Sequence, residues 1–252
     1  MLTALKQTAA SWEIRRVLQP FRDTQQSILE RHFYRRLIGD SAGAIIDVGA
    51  NRGSKTEIFR RLSERVVAIE PDPTSAHILR TRFCWRPEVI ILQCAITEKS
   101  GAVPFYQFGP GSAFNTSDHD WAGSMMDGSN HMHLVLPKPK EIIVQARTIS
   151  DVEAAYRPVK YLKIDAEGHE QQVLSTLRYP VPLISLEFNF PQMQGALLAC
   201  VDQLETIASY RFNAAITEPP QKLEFDQWLR GDEIIAAIQS AHWRYAELFA
   251  QI

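Results

Sequence analysis

The sequence predicts an α/β fold built on a doubly wound, Rossmann-like parallel sheet, with an N-terminal helical arm. Three observations predict it. AIIDVGA at 44–50 is a short continuous apolar run, as expected of a parallel strand buried on both faces, and RVVAIE at 65–70 and VKYLKIDAE at 159–167 read as further strands. Helix-start signals stand between such runs, so strands and helices alternate. Gly49 and Gly53 follow the first run, where a strand must turn sharply into a helix.

Taken in order, residues 1–40 carry seven basic and four acidic side chains, a net 7 − 4 = +3. Ile14, Val17, Leu18 and Phe21, then Leu29, Phe33 and Leu37, recur at helical spacing, which reads as two amphipathic helices broken near Pro20. Such an arm either caps the main domain or faces an anionic surface, and it offers a contact to a second copy of the chain. The main domain is expected over 41–252. After AIIDVGA, Ser54 and Glu57 have capping-box spacing and predict a helix along SKTEIFRRL. RVVAIE is the second strand, and Asp72 and Pro73 suit the cap and first position of the next helix. EVIILQCAI, ending in Ala95 and Ile96, reads as the third strand. Residues 109–133 are polar, rich in Gly and Ser and without a period, as expected of a lid or an insertion. There Trp121 offers a flat face for a sugar ring, with His119, Ser124, His131 and His133 as polar contacts, unless the segment is an ordinary mobile loop. KEIIVQAR, a helix capped by Ser150 and Glu153, VKYLKIDAE, a helix from about His169, and the strand LISLEF continue the alternation.

The totals exclude several classes. With 252 residues, 45% of them apolar, the chain can bury a sizeable core. A formal charge of −2 supplies no general pull toward nucleic acid. Cys84, Cys94 and Cys200 are odd in number and widely spaced, so they form neither a disulfide framework nor a zinc set. No apolar run approaches the roughly 18 to 20 residues that span a bilayer, and the first residues lack a signal-peptide centre. A soluble cytoplasmic protein is expected.

The stretch GANRGSKT, 49–56, decides what small molecule is held. A phosphate-binding P-loop needs lysine directly after its second glycine. Here Ser54 intervenes and the glycines are one residue too close, which turns Lys55 by about 100° away from an anion. A dinucleotide fingerprint needs a second glycine where Asn51 stands. What remains is a strand carrying Asp47, a glycine turn, and Glu70 closing the second strand, placed to accept hydrogen bonds from ribose hydroxyls. The loop asks for a ribose without a phosphate. S-adenosylmethionine meets that description.

The loop resembles the first motif of class I methyltransferases. YLKIDAEGHEQQVL at 161–174 is very similar to a hallmark of the FkbM family of S-adenosylmethionine-dependent methyltransferases, in which a strand ending in KID is followed by EG and a helix. QARTISDV before it and LISLEFN at 183–189 resemble two further segments of that family, so with IIDVGANRG the resemblance covers about 43–190. The usual second Asp of the family's TLDD-like segment is shifted here, with Ser150 before Asp151. The resemblance implies a seven-stranded class I methyltransferase sheet and methyl transfer to a hydroxyl of a sugar, glycan or secondary metabolite.

Ligands of such sheets bind beyond the carboxyl ends of the strands, so Asp47, Glu70, Asp165 and Glu187 are expected along one rim. Gly49, Ala50, Asn51 and Gly53 would meet the methionine end of the cofactor, Glu70 the ribose, Ala95 and Ile96 the adenine. An alcohol needs a base to become a competent nucleophile. His169, Asp165 and Glu187 are the candidates, and Glu167 either joins them or caps the helix. His169 has the most suitable ordinary pKa, but it equally suits an exposed first-turn histidine. Asp165, Glu167, His169 and Glu187 also have the ligand types for a magnesium or manganese ion, without a recognisable metal-loop spacing. Two other readings stay open: a nucleotide-sugar oxidoreductase, against which Asn51 counts, and a noncatalytic binding protein on the same fold.

Overall fold

The structure, a computed structural model, describes residues 25–130, 133–166, 168–189 and 193–252. The first expected helix of the arm and Pro20 lie outside them. The second is α1 (Gln25–Ile38), followed by β1 (Ala44–Val48), α2 (Ser54–Phe59), β2 (Val66–Ile69), α3 (Pro73–Arg82) and β3 (Val89–Leu92). Next come β4 (Ala95–Ile96), β5 (Gly101–Gln107), α4 (His119–Asp127), β6 (Lys140–Arg147) and α5 (Ile149–Tyr156). The chain ends with β7 (Val159–Ile164), α6 (Glu170–Ser175), β8 (Leu183–Asn189), α7 (Gln194–Ile207), β9 (Arg211–Ala215), α8 (Gly231–Ser240) and β10 (Tyr245–Gln251).

Seven strands form one sheet in the order β3-β2-β1-β7-β8-β10-β9. Neighbours pair parallel except β10, which runs antiparallel between β8 and β9. All residues of β1, β2 and β7 are buried, because helices cover both faces. On one face Ile46, Val48, Leu162, Ile164, Ile184 and Leu186 pack with residues of α5, α6, α7 and α8. On the other, Ile45, Tyr161, Leu183 and Phe249 meet Phe33, Tyr34 and Ile38 of α1 and Ile58 and Phe59 of α2. The arm's second helix is therefore applied to its own domain through Phe33 and Tyr34, while Leu29, expected on that stripe, is 52% exposed. Residues 195–252, which carry no motif, complete the sheet through β9 and β10. No helix among the described residues is long and apolar enough to cross a membrane.

Three local expectations are corrected. EVIILQCAI is not one strand: the main sheet keeps Val89–Leu92, and Ala95 and Ile96 pair instead with Ala146 and Arg147 in a separate three-stranded sheet, β4-β6-β5. Ser54 does not cap α2; Gly53 holds that position at φ 83, and Glu57 bonds to Arg60 and Arg61. α5 is capped by Thr148, which accepts from the Asp151 amide, so Ser150 lies inside the helix. Asp72 caps α3 as expected, accepting from the Thr74 and Ser75 amides, with Pro73 first in the helix. Residues 109–133 are partly helical: α4 is capped by Asp118 and stopped by Gly128 at φ 79.

Candidate active site

The glycine turn and the end of β7 are built against each other. Gly49 has φ 78, and a Cβ there would stand 1.8 Å from the carbonyl oxygen of Asp165, so only glycine lets the two backbones meet. Asn51 takes φ 48, a left-handed conformation that asparagine tolerates. Its amide donates to Glu70 Oε2 at 2.8 Å, and the Asp72 amide donates to Oε1 at 2.8 Å. Two backbone bonds thus fix the carboxyl of Glu70 at the end of β2. Burial pushes its pKa up to about 8, against the pull of those two bonds.

Asp165 and Glu187 stand together at the rim, with side chains 29% and 15% exposed. Between them enters Lys163, itself 1% exposed, with Nζ 2.9 Å from Asp165 Oδ2 and 3.6 Å from Glu187 Oε2. Burial and the Asp165 carboxylate push Glu187 up to about 8, while the surrounding carboxylates hold Lys163 well above the ordinary lysine range despite its burial. Asp47 does not reach the rim. It is 1% exposed and accepts from Thr56 Oγ1 at 2.6 Å, beneath the loop. Ala50 is buried beside Ala68, Leu79 and Phe83, and Gly53 sits tight against Leu79 and Phe83. Lys55 turns to an ion pair with Glu30 of α1. Ala95 and Ile96 are buried in the small sheet.

His169 is not brought into this carboxylate group. Its Nε2 lies 3.6 Å from Asp118 Oδ2, the cap of α4, and its Nδ1 is buried with no hydrogen-bond partner. Burial lowers its pKa, against the Asp118 and Glu98 carboxylates. Glu167, His131 and the arm's first helix lie outside the described residues, among which no group of three or more His, Cys, Asp or Glu side chains could hold a metal ion. Trp121 does not present a face for a sugar here: it is 8% exposed and packs in the main core with Met125. His119 and His133 are exposed, and the Ser124 hydroxyl donates to the Trp121 carbonyl.

The structure also holds polar residues that the sequence analysis passed over. Asp72 does more than cap a helix: Oδ1 also accepts from the Gly111 amide at 3.1 Å, and Oδ2 accepts from Gln107 Nε2 and Asn115 Nδ2 at 2.5 and 3.0 Å. It pins an arch, residues 107–116, beside Glu70. Arg52 Nη2 donates to the Gly111 carbonyl at 3.1 Å, so Gly111 is held through both its amide and its carbonyl. Glu170 is 1% exposed, accepts from the Ala166 and Gly168 amides, and is pushed by burial up to about 7. Lys163 was open to detection: a lysine within an apolar run of a strand buried on both faces requires a charged partner. A Tyr-x-x-x-Lys spacing also occurs at Tyr156 to Lys160, but α5 ends at that tyrosine, and Lys160 Nζ donates to the Ser41 and Leu62 carbonyls. The two side chains do not form a catalytic pair on one helix.

The sequence matches the methyltransferase FkbM domain over residues 47–230. Among solved structures, the FkbM methyltransferase of Methylobacillus flagellatus KT aligns with a TM-score of 0.53 at 15% identity, over 87% of this chain. The chain spans about half of that protein, 47% of its length. A TehB-like SAM-dependent methyltransferase from Corynebacterium glutamicum gives a TM-score of 0.48 at 9% identity, covering 100% of this chain and 99% of that one. A SAM-dependent O-methyltransferase from Thermotoga maritima gives 0.45 at 12% identity, covering 95% and 70%. At 15% identity the likeness to the Methylobacillus protein is one of fold. No curated protein matches the sequence.

Proposed function

The chain belongs to the FkbM family of methyltransferases, and from that premise we propose that it transfers a methyl group from S-adenosylmethionine to a hydroxyl oxygen of a sugar, glycan or secondary metabolite. The observation that carries the cofactor assignment is the Glu70 carboxyl, held by the Asn51 and Asp72 amides at the mouth of the glycine turn. A fixed acidic acceptor there suits a ribose diol, and Lys55, the cation a phosphate would need, is occupied by Glu30. The residues present therefore fit the adenosyl group. Gly49, Ala50 and Asn51 would flank its amino-acid end and Glu70 its ribose.

S-adenosylmethionine supplies, when bound, a methyl group already activated on a sulfonium. What the chain must add is alignment and a proton acceptor for the alcohol. Asp165 and Glu187 offer that acceptor at the rim, next to the glycine turn. A second reading is favoured by the contact between His169 and Asp118, in which a carboxylate 3.6 Å from Nε2 stabilises the ring once it has taken a proton. The three free cysteines, two of them buried, fit the reducing cytoplasm we propose as its setting.

Calorimetry tests the cofactor. S-adenosylmethionine and its demethylated product should bind, with ATP and NADH far weaker, and Glu70→Ala should weaken binding by about 1.5 to 3 kcal/mol. NADH binding in preference to S-adenosylmethionine would instead favour an oxidoreductase. Isotopically labelled methyl donor incubated with cell extract, followed by mass spectrometry, identifies the acceptor; cofactor binding without any labelled product would favour the noncatalytic reading. With that acceptor, the base is found by which variant, Asp165→Asn, Glu187→Gln or His169→Ala, lowers turnover by about 10² to 10⁴ while still binding cofactor.

A further inference from the structure

The proposed chemistry gives Lys163 no part, although its ammonium lies between the two rim carboxylates. Lys163 is flanked in register by Asp47 on β1 and Ser185 on β8. Its Nζ lies 2.9 Å from Asp165 Oδ2 and 3.6 Å from Glu187 Oε2. The other groups facing the trio add little positive charge. Asp47 and Glu247 act on Lys163 as further anions, and Glu218 acts on Glu187 in the same sense. Lys55 is engaged by Glu30, and the phenols of Tyr161 and Tyr245 are held neutral by burial. One buried ammonium cannot neutralise two adjacent carboxylates among more anions, and like charges so placed do not both ionise at neutral pH.

We propose that Lys163 is a positioning residue of the transfer site: it holds Glu187 beside Asp165 at the rim, and the proton that Glu187 carries leaves when a sulfonium arrives beside them. This rests on the S-adenosylmethionine reading. Release leaves Glu187 ionised, so that it can take the hydroxyl proton of the acceptor. In that step the new oxygen–methyl bond forms as the methyl–sulfur bond breaks, and the sulfur keeps the electron pair.

The test is calorimetric titration at pH 7 in two buffers of different ionisation enthalpy, which counts protons exchanged on binding. With Glu187 at about 8, that carboxyl is roughly 90% protonated at pH 7, so the sulfonium of S-adenosylmethionine should displace about 0.9 proton from it. S-adenosylhomocysteine, a neutral thioether, should release about 0.9 proton fewer, because any proton that Glu70, also at about 8, gives up to the ribose is common to both ligands. Lys163→Arg should preserve the release. Glu187→Gln should abolish the difference between the two ligands without abolishing binding. Lys163→Met should move that release to higher pH, because Glu187 loses its neutralising ammonium; should that variant fail to fold, the other two carry the test. Binding of S-adenosylmethionine to the native protein without proton release, equal release with both ligands, or undiminished release in Glu187→Gln overturns the proposal alone. If neither ligand binds, the cofactor reading falls and this inference with it.

Discussion

Replacing Asp72 by alanine should both destabilise the protein and free the arch beside Glu70. Asp72 is 1% exposed, and its Oδ1 serves the Thr74, Ser75 and Gly111 amides. Loss of the helix cap costs about 1 to 2 kcal/mol, and leaving the Gly111 amide unsatisfied costs about 1 to 3 kcal/mol. Gln107 and Asn115 are only part-buried in their bonds to Oδ2, so water takes over much of that contact. The sum is about 3 kcal/mol, or about 6 to 12 °C in Tm for a chain of this size. Asp72→Asn keeps an acceptor at Oδ1 but turns an amino group toward Gln107 and Asn115, and should cost about 1 kcal/mol. Urea denaturation gives the stability of each variant, and hydrogen exchange shows where it is lost. In Asp72→Ala, exchange should rise across 107–116. A loss below about 1 kcal/mol, with native exchange in the arch, would refute the idea that Asp72 pins it.

Gly49→Ala should cost about 3 to 5 kcal/mol, because φ 78 is unfavourable to a side chain and the added Cβ would stand 1.8 Å from the Asp165 carbonyl; thermal denaturation and cofactor titration of the variant both check this. Glu170→Gln should change the pH dependence of stability. The folded pKa of Glu170 is raised from 4.5 to about 7, so the folded state binds its proton more tightly, and the stability this lends is present below pH 4.5 and lost as pH climbs to about 7. That loss is about 3 kcal/mol and should be missing from the variant, so parallel stability profiles of the two proteins between pH 5 and 8 would contradict it. Closure of residues 109–133 over a ligand should appear as added exchange protection with cofactor bound; since Asp72 already fixes 107–116, the gain should concentrate beyond Thr116.

The sequence by itself determined the alternation of strands and helices, the glycine turn after β1, the cap at Asp72 and the acidic strand ends at Glu70, Asp165 and Glu187. These are local properties: a strand buried on both faces is apolar along its whole length, a helix start announces itself within four residues, and a tight turn admits few residue types. It also carried the family signature, because KID, EG and the glycine turn are contiguous words. Only the tertiary structure decided what those residues face. Ala95 and Ile96 left the main sheet because the edge of β6 was there to pair with them, a partner some 50 residues away in sequence. Asp47 withdrew below the rim to Thr56, and Trp121 turned into the core. His169 met Asp118 instead of the carboxylates, and Lys163 came between Asp165 and Glu187. Pairing across a sheet and the charge balance of a buried site depend on which distant segments are packed together, and no local pattern encodes that.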